Sequence, residues 1–171
     1  MKILIMGLSG AGKTTLARKL IEKLPNSTYY NGDTIRSLYN DWDFSDEGRL
    51  RQGIRMKSLA DESKSKYVIC DFIAPTAKIR NLFNADFTVF VDTCLFCKYQ
   101  NTNQIFQPPI TYNVRVSTQD AEFWSNHIRD ILLSYCVNNE NKLRIYEKDN
   151  FNQRWYGESN MRYSGVRAVY Y

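Results

Sequence analysis

The chain is poor in histidine: His127 stands alone among 171 residues. That excludes multi-histidine metal sites, histidine clusters and histidine-rich pH switches, and with them many hydrolases. His127 falls beside the apolar stripe of a helical pattern and reads as an ordinary helix-surface residue. Cysteine is scarce as well. Cys70, Cys94, Cys97 and Cys136 are too few for a disulfide framework in a chain this long, so a reducing compartment is expected. Cys94 and Cys97 form a C-x-x-C pair, but zinc needs a second ligand pair, and the other cysteines and His127 offer no matching spacing. Long apolar runs are missing too. The opening Met1–Met6 run ends at Gly7, short of the roughly 7–15 residues of a signal-peptide core, and nothing approaches the roughly 20 of a membrane span. A soluble, cytoplasmic protein without a membrane partner is the expectation.

What is there is ordinary for a globular fold. Hydrophobic residues make up 43% and charged residues 24%, which argues against a disordered or fibrous chain. At roughly 150 residues per domain, the length suits one full domain. Lys plus Arg number 23 against 18 Asp plus Glu, a net charge of +5 that suits small polyanions and nucleic acid alike.

Short apolar runs at Ile3–Met6, Ser27–Tyr30, Tyr67–Ile73, Phe87–Val91 and Leu143–Tyr146 read as five strands, mostly without the alternation of a half-exposed sheet. Helical patterns lie between them. Leu16, Leu20, Ile21 and Leu24 repeat at helical steps before Pro25; Ser45 opens a helix to about Lys64 with Leu50, Ile54 and Leu59 inward; Pro75–Thr76 opens one through Phe83; and the last runs from about Thr118 to Val137. Strands alternating with helices predict an α/β, three-layer fold with a mostly parallel five-stranded sheet, whose ligands bind beyond the carboxyl ends of the strands. Residues 100–118, rich in Asn, Gln, Thr and Pro, read as a lid-like segment. One domain over 1–149 is then followed by an aromatic and basic tail at 150–171, read first as packing and second as a binding surface.

Gly7-Leu8-Ser9-Gly10-Ala11-Gly12-Lys13-Thr14 satisfies G-x-x-x-x-G-K-[ST] directly after a strand and before an amphipathic helix. In that pattern Gly7, Ser9, Gly10, Ala11, Gly12, Lys13, Thr14 and Thr15 surround the phosphates of ATP. Their backbone N–H groups and the helix N-terminus supply positive potential, and Lys13 reaches the β- and γ-phosphates. Thr14 is the expected Mg²⁺ ligand. After the second strand, Asn31-Gly32-Asp33-Thr34-Ile35-Arg36 presents an acid and an arginine at the ligand edge. Asp33 can take the proton of an attacking hydroxyl or position Mg²⁺ through water, and Arg36 can grip an anionic acceptor, although a helix-capping turn explains the same residues. Tyr67–Asp71, apolar residues closed by an acid, has the form of a strand that brings a carboxylate to Mg²⁺.

These segments, with F-S-D-E-G-R at Phe44–Arg49, D-F-I-A-P at Asp71–Pro75 and F-V-D-T at Phe90–Thr93, resemble the adenylylsulfate kinases, a P-loop kinase family, over roughly residues 2–137. The resemblance implies transfer of the γ-phosphate of ATP to the 3′-hydroxyl of adenylyl sulfate. It puts Lys13 and Asp33 in catalysis and Arg36 and Arg49 on the acceptor's phosphosulfate. It also puts Phe44 on the acceptor's adenine and backbone groups of Ile73 and Ala74 beside the substrate. Phe106, in F-Q-P-P-I-T-Y, falls on the family's lid and is expected to contact the acceptor. Departures from the family pattern are Asn31 for the first acid of D-G-D, Gly48 for an acid, Gly53 for an asparagine, Ala74 for a serine and Asp71 for the residue opening S-F-I-S-P. Asp71 is expected to support Mg²⁺ in place of the carboxylate missing at Asn31.

Two other readings stay open. One is a P-loop kinase for another hydroxyl acceptor (a nucleotide, a sugar or a 5′-hydroxyl nucleic-acid end). The other is a degenerate ATP-binding module. A homodimer is compatible with each.

Overall fold

The computed structural model describes residues 1–135. The chain divides into two compact units, Met1–Arg129 and Asp130–Tyr171; of the second, residues 130–135 are described and are helical. The strand expected at 143–146, the boundary expected at 149/150 and the 150–171 tail lie outside the described residues.

In the first unit five strands, β1 (Lys2–Met6), β2 (Ser27–Asn31), β3 (Tyr67–Asp71), β4 (Phe87–Val91) and β5 (Val114–Val116), form one sheet in the order β2-β3-β1-β4-β5. Every pairing is parallel. Five helices lie between the strands: α1 (Lys13–Ile21), α2 (Gly32–Leu38), α3 (Asp46–Glu62), α4 (Ala77–Phe83) and α5 (Gln100–Ile105). A further helical stretch begins at 121. All five residues of β3 and the last four of β1 are buried, as central parallel strands covered on both faces require, whereas every residue of the edge strand β2 is half-buried.

The helix starts follow capping chemistry. Asn31, Ser45 and Thr76 each accept a hydrogen bond from the backbone N–H three residues on, at Thr34, Gly48 and Ile79. Two sequence expectations need correction. The inward face of α3 is Gly48, Gln52, Gly53, Met56 and Ala60, while Ile54 is 48% exposed and Leu50 only half-buried. Small residues hold that face because α3 packs closely on its neighbours: a Cβ on Gly53 would sit 3.1 Å from Ile79 Cγ2, and one on Gly48 would overlap Asp43. The 100–118 segment is not all loop, since it holds α5 and the edge strand β5. With only three residues, Val114–Val116, β5 is too short to announce itself by pattern.

Candidate active site

The phosphate loop joins β1 to α1. Gly7, Gly10 and Gly12 have φ of +147°, +85° and +93°, conformations that side chains resist. Gly7 is doubly constrained, because a Cβ there would overlap the carbonyl oxygen of Val91 on β4. Gly12 is the N-cap of α1, and Lys13, the first helical residue, is buried with Nζ donating to the Leu8 carbonyl at 2.8 Å. Burial pulls the Lys13 ammonium below its ordinary pKa, and the carboxylates of Asp71 and Asp33 act against that shift.

At the carboxyl ends of β2 and β3 a polar cluster sits beside Thr14. Asn31 Nδ2 donates to Asp71 Oδ1 at 2.6 Å and lies 3.3 Å from Thr14 Oγ1, and the Tyr29 hydroxyl donates to Asp71 Oδ2 at 2.6 Å. Asp71 is 1% exposed. Burial raises its pKa, and the hydrogen bonds from Tyr29, Thr14 and Asn31 and the charge of Lys13 oppose the rise. Burial, and after it the same carboxylate, pushes the Tyr29 phenol up. The oxygen donors of Thr14, Asp33 and Asp71 beside an anion-binding loop suit a hard divalent cation such as Mg²⁺.

The wall opposite is built from residues 39–49. Arg36, 6% exposed, donates from Nη1 to the carbonyls of Asp41 (2.9 Å) and Asp43 (3.0 Å), and its guanidinium lies 4.7 Å from the centre of the Phe44 ring. Arg49 donates to the Phe44 carbonyl. Arg51 and Arg55 ion-pair with Asp41 at 2.7 and 2.6 Å, and Arg51 also reaches Asp43 at 3.0 Å. Gln52 Nε2 donates to the Gly32 carbonyl at 2.9 Å, tying α3 to the start of α2.

One cavity of about 740 Å³ joins the two sides. Of the residues singled out from the sequence, Ser9, Gly10, Gly12, Lys13, Thr14, Thr15, Asp33, Arg36, Phe44, Arg49, Asp71, Ile73 and Ala74 all line it. Three do not. Gly7 lies behind the loop against Val91, and Ala11 borders a smaller cavity of about 280 Å³ with Trp124, Thr118 and Gln119. Phe106 stacks on Phe90 with ring centres 6.4 Å apart and joins the core. Its aromatic character signals packing as readily as binding, and here packing takes it. The cavity also holds Trp42, Gln52, Tyr99 and Thr102, which sequence reasoning did not select. Trp42, 51% exposed two residues before Phe44, could have been found as an aromatic beside a chosen contact. Gln52 carries no such signal, because only the close packing of α3 turns it inward.

A phosphate loop between the central strand and first helix of a parallel sheet ordered β2-β3-β1-β4-β5 defines the P-loop nucleotide-binding fold. Among solved structures, the APS kinase of Mycobacterium tuberculosis in complex with AMPPNP and APS superposes with a TM-score of 0.68 at 22% identity, over 77% of this chain and 96% of that one. The shikimate kinase of Acinetobacter baumannii in complex with shikimate gives 0.56 at 20% identity, over 78% and 93%. The chain belongs to the adenylylsulphate kinase family, whose model matches residues 1–107. An adenylyl-sulfate kinase of Halothermothrix orenii is 38% identical over 82 residues, 43% of this chain and 44% of that protein. The matched stretch thus spans less than half of that relative's length. No helix among the described residues is long and apolar enough to cross a membrane.

Proposed function

We propose that this chain is an ATP-dependent phosphotransferase of the cytoplasm that moves the γ-phosphate of ATP to the 3′-hydroxyl of adenylyl sulfate, making phosphoadenylyl sulfate. The observation that carries the reading is a single cavity lined at one side by Lys13 and Thr14 and at the other by Arg36, Phe44 and Arg49. Asp33 lies within electrostatic reach of both Lys13 and Arg36. Membership of the adenylylsulphate kinase family supports the choice of acceptor.

Phosphoryl transfer asks a protein mainly for positioning and charge. The N–H groups of the phosphate loop and the N-terminus of α1 hold the phosphates. One of the three protons of Lys13 goes to the Leu8 carbonyl, which leaves two for the β- and γ-phosphate oxygens. Mg²⁺, with Thr14 and Asp71 as the residues to hold it, would neutralise charge on those oxygens. Asp33 accepts the proton of the attacking hydroxyl. Phe44, with Trp42 at a ring distance of 6.5 Å, offers aromatic surface to the acceptor's base. Arg36 and Arg49 present positive charge to its anionic groups, and the backbone at Ile73 and Ala74 completes that side. The nucleotide's base belongs in the smaller cavity beside Gly12 and Trp124.

Release of ADP from ATP with Mg²⁺ and adenylyl sulfate tests this, run beside a no-acceptor control, a 5′-hydroxyl oligonucleotide and Lys13→Ala. Turnover with adenylyl sulfate alone, lost in Lys13→Ala, is expected. Turnover with the oligonucleotide instead would transfer the reading to a nucleic-acid acceptor, and nucleotide binding without turnover to a binding module. Sedimentation velocity on the same preparation tests the homodimer.

A further inference from the structure

Asn31 and Asp71 are the last residues of β2 and β3 and stand directly opposite each other in the parallel register. Their side chains therefore end at one point beneath the phosphate loop, joined by the 2.6 Å bond from Asn31 Nδ2 to Asp71 Oδ1. We propose that positions 31 and 71 form one exchangeable charge site, which needs one carboxylate and one amide, and in which either strand can carry the carboxylate. The proposal rests on the phosphotransferase reading only in taking nucleotide and divalent cation as the ligands, and it is independent of the acceptor.

One acid is needed because Lys13 and Asp71 are both buried beside the phosphate loop, and Asp71 is the foremost of the charges that oppose the cost of burying Lys13. Without Asp71 a buried cation loses its main compensation. Two acids are excluded. An aspartate at 31 beside Asp71 replaces the N–H donor of the 2.6 Å bond by an acceptor, so that two oxygens face each other with no proton to share.

Exchange of the two side chains conserves the hydrogen bonds one by one. Asn31 Oδ1 now accepts from Thr34 N at 2.9 Å and Thr34 Oγ1 at 3.0 Å, and an aspartate oxygen caps a helix at least as well. An asparagine at 71 accepts from the Tyr29 hydroxyl through its Oδ1, as Asp71 now does at 2.6 Å, and donates its amide back to the carboxylate at 31. Thr14, now beside the Asn31 amide, donates its own proton to that carboxylate and keeps a lone pair for the cation. Side-chain volume and backbone ladder are untouched, since Asp and Asn are nearly isosteric. The carboxylate of the pair is thus the group that faces Lys13 and the cation, and the amide is the positioning partner, Asn31 now setting Asp71 and Thr14.

The test compares the wild type, Asn31→Asp, Asp71→Asn and the exchanged double variant, using a fluorescent ATP analogue titrated with and without Mg²⁺, and thermal melts. Each single variant is expected to bind the Mg²⁺ complex about tenfold or more weakly, the scale of a lost charged hydrogen bond. The double variant is expected to recover to within about threefold of the wild type. The ratio of Kd without to Kd with Mg²⁺ should fall in Asp71→Asn and return in the double variant, which loss of folding alone would not produce. If Asn31→Asp does not fold, Asp71→Asn against the double variant still decides. Unchanged affinity in Asp71→Asn, or a double variant no tighter than Asp71→Asn, overturns the exchange. A wild type that binds no nucleotide overturns the exchange and the phosphotransferase reading together, whereas failure confined to the double variant overturns the exchange alone.

Discussion

Replacing Arg36 by alanine should open the acceptor wall before any acceptor arrives. Its Nη1 bridges the carbonyls of Asp41 and Asp43, and its guanidinium plane underlies the Phe44 ring. Hydrogen bonds from a charged donor are worth about 1.5–3 kcal/mol each, and a cation–π contact adds about 0.5–1 kcal/mol. Freed carbonyls regain water, so somewhat less than the low end of the sum, about 3.5 kcal/mol, applies: about 3 kcal/mol, or roughly a hundredfold in the population of the ordered loop. Arg36→Ala should therefore raise KM for the acceptor roughly a hundredfold, leave KM for ATP within about threefold, and speed amide exchange at residues 41–45 in the unliganded protein. Arg36→Lys should behave nearly as badly, because an ammonium cannot bridge two carbonyls while lying flat on a ring. Hydrogen exchange in the free protein is the deciding assay. Unchanged exchange at 41–45 with a raised acceptor KM would refute the strut and leave Arg36 as a direct grip on the acceptor alone.

Other outcomes follow from the same geometry. Gly7→Ala should cost more than about 2 kcal/mol in chemical denaturation and abolish nucleotide binding, since its φ of +147° and the Val91 carbonyl leave no place for a methyl group. Met56→Ala, at a fully buried position, should cost about 2–5 kcal/mol, and Ile54→Ala less than about 1 kcal/mol; the reverse order in urea melts would disprove the assigned face of α3. Hydrogen bonds from Arg51 and Arg55 lower the Asp41 pKa, so its contribution to stability is present above the ordinary carboxylate pKa of about 3.9 and is lost as pH falls through the lowered value. Thermal melts between about pH 2 and 6 cover the upper part of that loss and should show an acid limb that Asp41→Asn flattens.

Legibility in the sequence divides along the range of the interactions involved. The phosphate loop was plain, because its geometry comes from local glycines, and so were β1 and β3, whose burial on both faces writes an apolar run, and β4, where only Thr88 interrupts one. The caps at Ser45 and Thr76 were equally local. The face of α3 was not, because Gly48 and Gly53 point inward for lack of room beside Asp43, where the chain folds back before the helix, and beside Ile79 on α4, and neither approach is written in α3 itself. Arg36 could be read as a functional arginine from its place after Asp33, but its hold on two carbonyls five and seven residues on became visible only in three dimensions. Phe106 shows the opposite limit, since an aromatic beside a lid-like segment says nothing about which side of the chain it faces. Asp71 was legible as an acid at a strand end, but its partner Tyr29 was not, because the β2–β3 register is not written in either strand alone.

The crossover that puts β1 between β3 and β4 has a consequence for how the protein is made. Gly7–Thr14 leaves the ribosome before β3 and β4 do, yet the carbonyl that packs on Gly7 belongs to Val91 and the carboxylate that faces Lys13 belongs to Asp71. Until β3 and β4 have been synthesised and have docked on either side of β1, the glycines have nothing to curl against and Lys13 has no buried cleft to enter. Such long-range parallel pairing is slow to form. The nascent chain should therefore gain affinity for nucleotide in one step, after residue 91 has emerged, and ATP present at that moment would pull the sheet together by binding only its finished form.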